Sequence, residues 1–146
     1  MELCIVFKLQ ALVYVSSAVT KLTPDQVEYL LTRARKRNAQ YGVTGVLLYI
    51  GGNFMQYIEG PSTELAVIYD IIKNDPGHTG LIELMHCDIE QRDFCDWAMA
   101  YCTKERNVSV SQYNNKSILE DKLGFSTSDQ TSSRTLLRNF WVRNSA

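Results

Sequence analysis

The chain has 146 residues, 45% hydrophobic and 21% charged, which fits one soluble globular domain and is too short for two ordinary ones. A formal net charge of -1 argues against a general nucleic-acid binder, which needs surplus cations against phosphate. The first fifteen residues lack a basic leader, and no run is long and apolar enough for a membrane span, so a cytoplasmic protein is expected. Cys4, Cys87, Cys95 and Cys102 form no C-x-x-C pair. They read as small hydrophobes in a reducing compartment, and no metal site is expected.

Residues 12–16 (Leu-Val-Tyr-Val-Ser) form a β-prone run, the first expected strand. A helix follows, with Thr23 as N-cap, Pro24 at the first helical position and Gln26 completing a capping box. Val27, Leu30, Leu31 and Ala34 recur at helical spacing. Arg33, Arg35, Lys36 and Arg37 cluster near its C-terminal end, where cations suit the dipole, and read as a solvated helix end. Residues 43–50 and 53–59 form two strands joined by a Gly51-Gly52 hairpin turn. Ser62 is the expected N-cap of a second helix striped by Leu65, Ile68, Tyr69 and Ile72, which Asn74-Asp75-Pro76-Gly77 stops. Strands are expected at 81–89 and 97–102.

The resulting order, β-α-β-β-α-β-β, is an α+β, ferredoxin-like arrangement with one extra strand. It predicts a mixed five-stranded sheet with two helices on one face. Beyond about Thr103 the chain turns rich in Ser, Thr, Asn and Gln. A short helix at 117–123 and an apolar-faced one at 135–142 are expected in this tail. Leu136, Leu137, Phe140 and Trp141 are expected to dock on the sheet face left open by the other helices, or to meet a partner. Division into 1–103 and a C-terminal tail at 104–146 without an effector domain follows.

Alternation places Leu12, Tyr14 and Ser16 on one face of the first strand, and Phe54, Gln56 and Ile58 on one face of the third. Gln56 is then an amide between apolar neighbours. Either its face is buried and the amide has partners, such as a tyrosine hydroxyl and a polar ligand edge, or the face is solvated. Asn38, at the end of the first helix, reads locally as a C-terminal cap. Trp97 and Met99, two apart on the expected fifth strand, share a face. His78 and His86 lack ligand spacing and read as structural or surface residues, and Asp88, Glu90 and Asp93 as a solvated acidic turn.

From about Ala11 to Tyr101 the chain resembles the BLUF family of flavin-binding blue-light receptors. The resemblance rests on residues 12–17 (Leu-Val-Tyr-Val-Ser-Ser), Ala34-Arg35 with Asn38, and 42–49 (Gly-Val-Thr-Gly-Val-Leu-Leu-Tyr). It continues through 52–60 (Gly-Asn-Phe-Met-Gln-Tyr-Ile-Glu-Gly), Asp75 with His78, and Arg92, Phe94, Trp97 and Met99. It implies that Tyr14 is the photoactive tyrosine and Gln56 the glutamine between it and the flavin. It further implies that Asn38 bonds the carbonyl edge of the ring, that Ser16 lies beside the ring, and that Trp97 and Met99 carry the signal. FAD is the implied cofactor, with FMN or riboflavin as alternatives. Three positions depart: Arg37 occupies a variable ring-side position, Gly77 stands where an Arg is common, and Ala100 where Gly is frequent.

The expected function is a photosensory module without catalytic activity. Its expected partners are flavin, a separate downstream protein and further copies of itself in a homo-oligomer, with no nucleic acid and no membrane. The alternatives are a small flavin-dependent oxidoreductase or hydrolase, and a flavin-free ferredoxin-like regulatory module.

Overall fold

A computed structural model describes residues 8–95, 97–104 and 132–144 of the chain. The expected helix at 117–123 and Cys4 lie outside the described residues. Five strands and three helices are described: β1 (Leu9–Ala18), α1 (Pro24–Tyr41), β2 (Thr44–Ile50), β3 (Asn53–Pro61), α2 (Ser62–Lys73), β4 (His78–Ile89), β5 (Ala100–Thr103) and α3 (Ser132–Arg143). The sheet order is β4-β1-β3-β2-β5. All neighbours are antiparallel except β2 and β5, so the sheet is mixed, as the element order predicts.

Local chemistry sets the boundaries. The Thr23 hydroxyl accepts from the Gln26 amide N–H and the Gln26 side chain accepts from Thr23 N, the reciprocal cap expected from sequence. α1 stops at Gly42, whose φ of 65° lies where a Cβ would be strained. α2 differs from expectation. Pro61 holds the N-cap position, without a side-chain cap, and Ser62 is already helical. The reason is that β3 stays paired with β1 through Pro61, leaving no separate cap residue between strand and helix.

Each sheet face buries its own cluster. Leu12, Tyr14, Leu47, Phe54 and Ile58 pack against Val27 and Leu31 of α1 and Leu65, Ile68 and Ile72 of α2. On the other face Val13, Val46, Leu48, Met55 and Tyr57 pack with Phe94, Leu137 and Trp141, while Leu136 and Phe140 flank them. The tail helix thus docks on the open face, as its apolar set predicts.

To reach β2's free edge from β4, at the opposite edge of the sheet, the chain must cross that second face. Phe94 is fully buried in the crossing. This route corrects the fifth strand: pairing with β2 begins at Ala100, so Trp97 and Met99 precede it. They do not share a face. Trp97 stacks on Phe94, ring centroids 5.2 Å apart, beside the second cluster. Met99 is buried in the first.

Candidate functional site

Between α1 and α2 lies a cavity of about 520 Å³, within the ~300–1,000 Å³ usual for small-molecule sites. Its apolar walls include Leu30 and Ala34 of α1, Leu47 and Phe54 of the sheet, and Ile71 and Ile72 of α2. Tyr14, Gln56 and Met99 form the polar part of its sheet side.

Register explains how Tyr14 and Gln56 meet. Tyr14 and Gln56 are direct partners across β1 and β3, and Leu47 is the partner of Gln56 across β2 and β3. Side chains of paired residues share a face, so the tyrosine and amide are brought together by backbone pairing alone. The Tyr14 hydroxyl donates to Gln56 Oε1. Gln56 Nε2 donates to the Met99 sulfur at 3.4 Å. Both groups of Gln56 are therefore engaged, one as acceptor and one as donor. Burial pushes the Tyr14 hydroxyl well above the usual phenol range; the positive charge of Arg37 opposes this and Asp75 adds to it.

Asn38 is not the cap its position suggested. Gly42 takes that role, and Asn38 is fully buried, its Nδ2 donating to Ala98 O at 3.0 Å. Its Oδ1 is buried with no partner among the described residues. Arg35 Nε donates to Met99 O at 2.8 Å, and Trp97 O accepts from Gly45 N at 2.8 Å. The carbonyls of residues 97–99 are thus held by α1 and β2.

Ser16 is buried and bonds His78 Nδ1 at 2.7 Å, while His78 Nε2 lies 2.6 Å from Ile72 O. A carbonyl only accepts, so Nε2 carries the proton in the neutral ring and the Ser16 hydroxyl donates to Nδ1. His78, Arg33, Arg37 and Asp75 line the cavity; Ser16, Asn38 and Trp97 are not among its lining residues.

The sequence profile described as "BLUF: Sensors of blue-light using FAD" matches residues 9–100. The chain belongs to the BLUF family. BLUF domains sense blue light with a bound flavin, and this chain carries that domain. It is 33% identical over 98 residues to the photoactivated adenylate cyclase subunit beta of Euglena longa, covering 66% of this chain and 11% of that protein. It is 38% identical over 80 residues to the blue light- and temperature-regulated antirepressor BluF of Escherichia coli K12, covering 55% and 20%. A structure of Klebsiella pneumoniae BlrP1 with FMN and cyclic diGMP superposes with a TM-score of 0.74 at 29% identity, covering 92% of this chain and 35% of that one. The BLUF match is thus a small part of each curated relative.

Several residues of this BLUF domain escaped sequence reasoning. Arg33 belongs to the cavity, not only to a solvated helix end, alongside Arg37, which the resemblance had already placed beside the ring. Its spacing of four from Arg37 was the available signal. Glu59 is fully buried on the opposite sheet face. It receives the Tyr57 hydroxyl, Thr44 Oγ1 at 3.3 Å, and the backbone N–H groups of Asp93 and Phe94 at 2.9 and 2.6 Å. Its phase with Met55 and Tyr57 marked it as inward-facing. Asp93, expected in a solvated turn, also bonds Ser133 at 3.2 Å and pairs with Arg134 at 3.5 Å.

Proposed function

We propose that this chain senses blue light with a flavin held in the α1–α2 cavity, Tyr14 and Gln56 acting as the photochemical relay. The carrying observation is the hydrogen-bonded chain from the Tyr14 hydroxyl through the Gln56 amide to the Met99 sulfur on the cavity's sheet side. The residues fit such a ligand. Apolar side chains flank the slot, and Asn38 Oδ1 and Arg37 Nε are buried polar atoms without partners among the described residues. Asn38 Oδ1 suits a ring N–H, with Ser16 acting through the bond that orients His78. FAD is the proposed cofactor, with FMN or riboflavin as alternatives.

When bound, the flavin supplies visible-light absorption and an electron-accepting excited state, which no side chain offers. The Tyr14 hydroxyl, kept protonated by burial, donates to Gln56 Oε1. In the lit cycle Tyr14 gives up an electron and passes its proton to Gln56, and both return. Gln56, at once donor and acceptor, ends with its amide rearranged. Turning it withdraws the donor from the Met99 sulfur. One changed hydrogen bond is worth about 1 kcal/mol, enough to bias two nearly balanced conformations. The proposed bistable element is the segment 97–99 with Trp97 and Met99, which runs into β5. The domain proper is 1–103, and the tail at 104–146 passes the signal to a downstream protein or a further copy of this chain. The proposed setting is cytoplasmic, without catalysis by this chain. Nucleic acid and membrane have no part in the scheme.

The test is the absorption spectrum of the purified chain in the dark, under blue light and during recovery. A flavin band that shifts slightly to longer wavelength and relaxes supports the reading, and Gln56→Leu and Tyr14→Phe should lose the shift. A protein that binds no flavin after reconstitution, or one that bleaches without the shift, refutes it. Met99→Ala with an unchanged light-dependent response would remove Met99 from the switch.

A further inference from the structure

Segment 97–99 runs ahead of the β2–β5 ladder, which begins at Ala100. Its carbonyls are held one by one. Trp97 O accepts from Gly45 N at 2.8 Å, Ala98 O from Asn38 Nδ2 at 3.0 Å, and Met99 O from Arg35 Nε at 2.8 Å. The last two carbonyls belong to the peptide groups on either side of the Met99 Cα. Each peptide group is a rigid plane, so fixing both planes fixes the direction in which the Met99 side chain leaves the backbone. That direction decides where the sulfur lies, because a methionine side chain is unbranched and flexible. The buried sulfur accepts from Gln56 Nε2 at 3.4 Å.

Arg35 and Asn38 lie three apart on α1, so neighbouring positions of one helix face supply both donors. Asn38 is fully buried and Arg35 half-buried. Arg35 does not line the cavity, so a change there reaches the relay through the Met99 backbone and not through contact with a ligand. Its guanidinium is charged at any ordinary pH, which keeps the donor in place.

We propose that Arg35 is a positioning residue of the photochemical relay: by holding the Met99 carbonyl it keeps the sulfur within reach of Gln56, and so sets how fast the lit state returns to the dark one. The inference rests on the photosensory reading above, and the experiment separates the two. Recovery of the flavin band after a blue pulse is timed in the full 146-residue chain loaded with FAD and in its variants. Arg35→Met keeps an unbranched stem but puts a methyl group where Nε stands. It is expected to change the recovery time about threefold or more, in the same direction as Met99→Ala. Arg35→Gln sets an amide nitrogen the same number of bonds from Cα as Nε, and should bring recovery back to within about twofold of the unsubstituted chain. Adding Arg35→Met to Met99→Ala should alter recovery by less than about 1.5-fold, because both act through one contact. A residue that served folding alone would not show that cancellation.

An unchanged recovery in Arg35→Met or in Met99→Ala overturns the inference. So does an Arg35→Gln recovery as altered as that of Arg35→Met, or an Arg35→Met effect that persists in the Met99→Ala chain. In each case the photosensory reading stands on the light-induced shift of the unsubstituted chain. Should Arg35→Met not fold, the Arg35 Nε–H resonance of the unsubstituted chain decides: it should move between dark and blue light, and a resonance that light leaves in place overturns the inference. An unsubstituted chain without a light-induced shift overturns both.

Discussion

Replacing Glu59 should destabilise the fold from the sheet face opposite the cavity. Its carboxylate receives the Tyr57 hydroxyl, Thr44 Oγ1 and the N–H groups of Asp93 and Phe94, and Glu59, Tyr57 and Phe94 are fully buried. Glu59→Leu keeps much of the volume but strands the Tyr57 hydroxyl and two backbone donors. Each unsatisfied buried donor costs about 1–3 kcal/mol. Release from burying a charge offsets part of that sum, giving a net loss of roughly 3–5 kcal/mol. Glu59→Gln retains one oxygen for Phe94 N and Thr44 but sets an NH₂ group against the Asp93 N–H. The Tyr57 hydroxyl can turn to accept, so the loss should be only about 1–2 kcal/mol. Urea unfolding of the three chains, with slopes compared as well as midpoints, measures both values. A loss under about 1 kcal/mol for Glu59→Leu, or a larger loss for the Gln variant than for Leu, would refute the reasoning.

Gly45→Ala should abolish stable folding, because the new Cβ would lie 2.0 Å from Tyr57 O and 3.0 Å from Ile58 Cα, both backbone. The expected loss exceeds the ~1–3 kcal/mol of ordinary overpacking and is read by thermal melting. Trp141→Ala should undock α3, seen as lost hydrogen-exchange protection in α3 while β1 and β3 stay protected; equal protection in both chains would contradict the docking. Burial first, then the bond to Glu59, raises the Tyr57 pKa, and burial raises that of Tyr14. Above about pH 10 the unfolded tyrosines lose protons that the folded ones keep, so their stabilising contribution is full below pH 10 and declines as pH rises further. Urea midpoints from about pH 8 to 11 should fall accordingly, and Tyr57→Phe should flatten the decline.

Much of the frame was legible in the sequence because it depends on local chemistry. The Thr23-Gln26 cap, the Gly51-Gly52 turn and the alternation of Phe54, Gln56 and Ile58 each act within a few residues. Tyr14 and Gln56 could be assigned to faces, but their meeting depends on strand order, which alternation does not contain. Trp97 and Met99 were misassigned because a period of two applies only to extended strand, and the chain there is still crossing the sheet. The cap that Asn38 suggests locally fails because its side-chain partner, Ala98 O, lies sixty residues away. Glu59 was missed for the same reason: three of its four donors come from other segments.

The parallel pairing of β2 with β5 bears on the order in which the molecule assembles. β2 and β3 meet through a two-glycine turn, whereas Val46 and Ala100 are brought together only after the whole α2–β4 unit has been traversed. Loop-closure entropy therefore favours the hairpin early and the edge strand late. Until then the four-residue β5 is missing from an otherwise complete four-stranded sheet. Its neighbour would then offer a bare row of amides and carbonyls, the pattern that an incoming strand can complete.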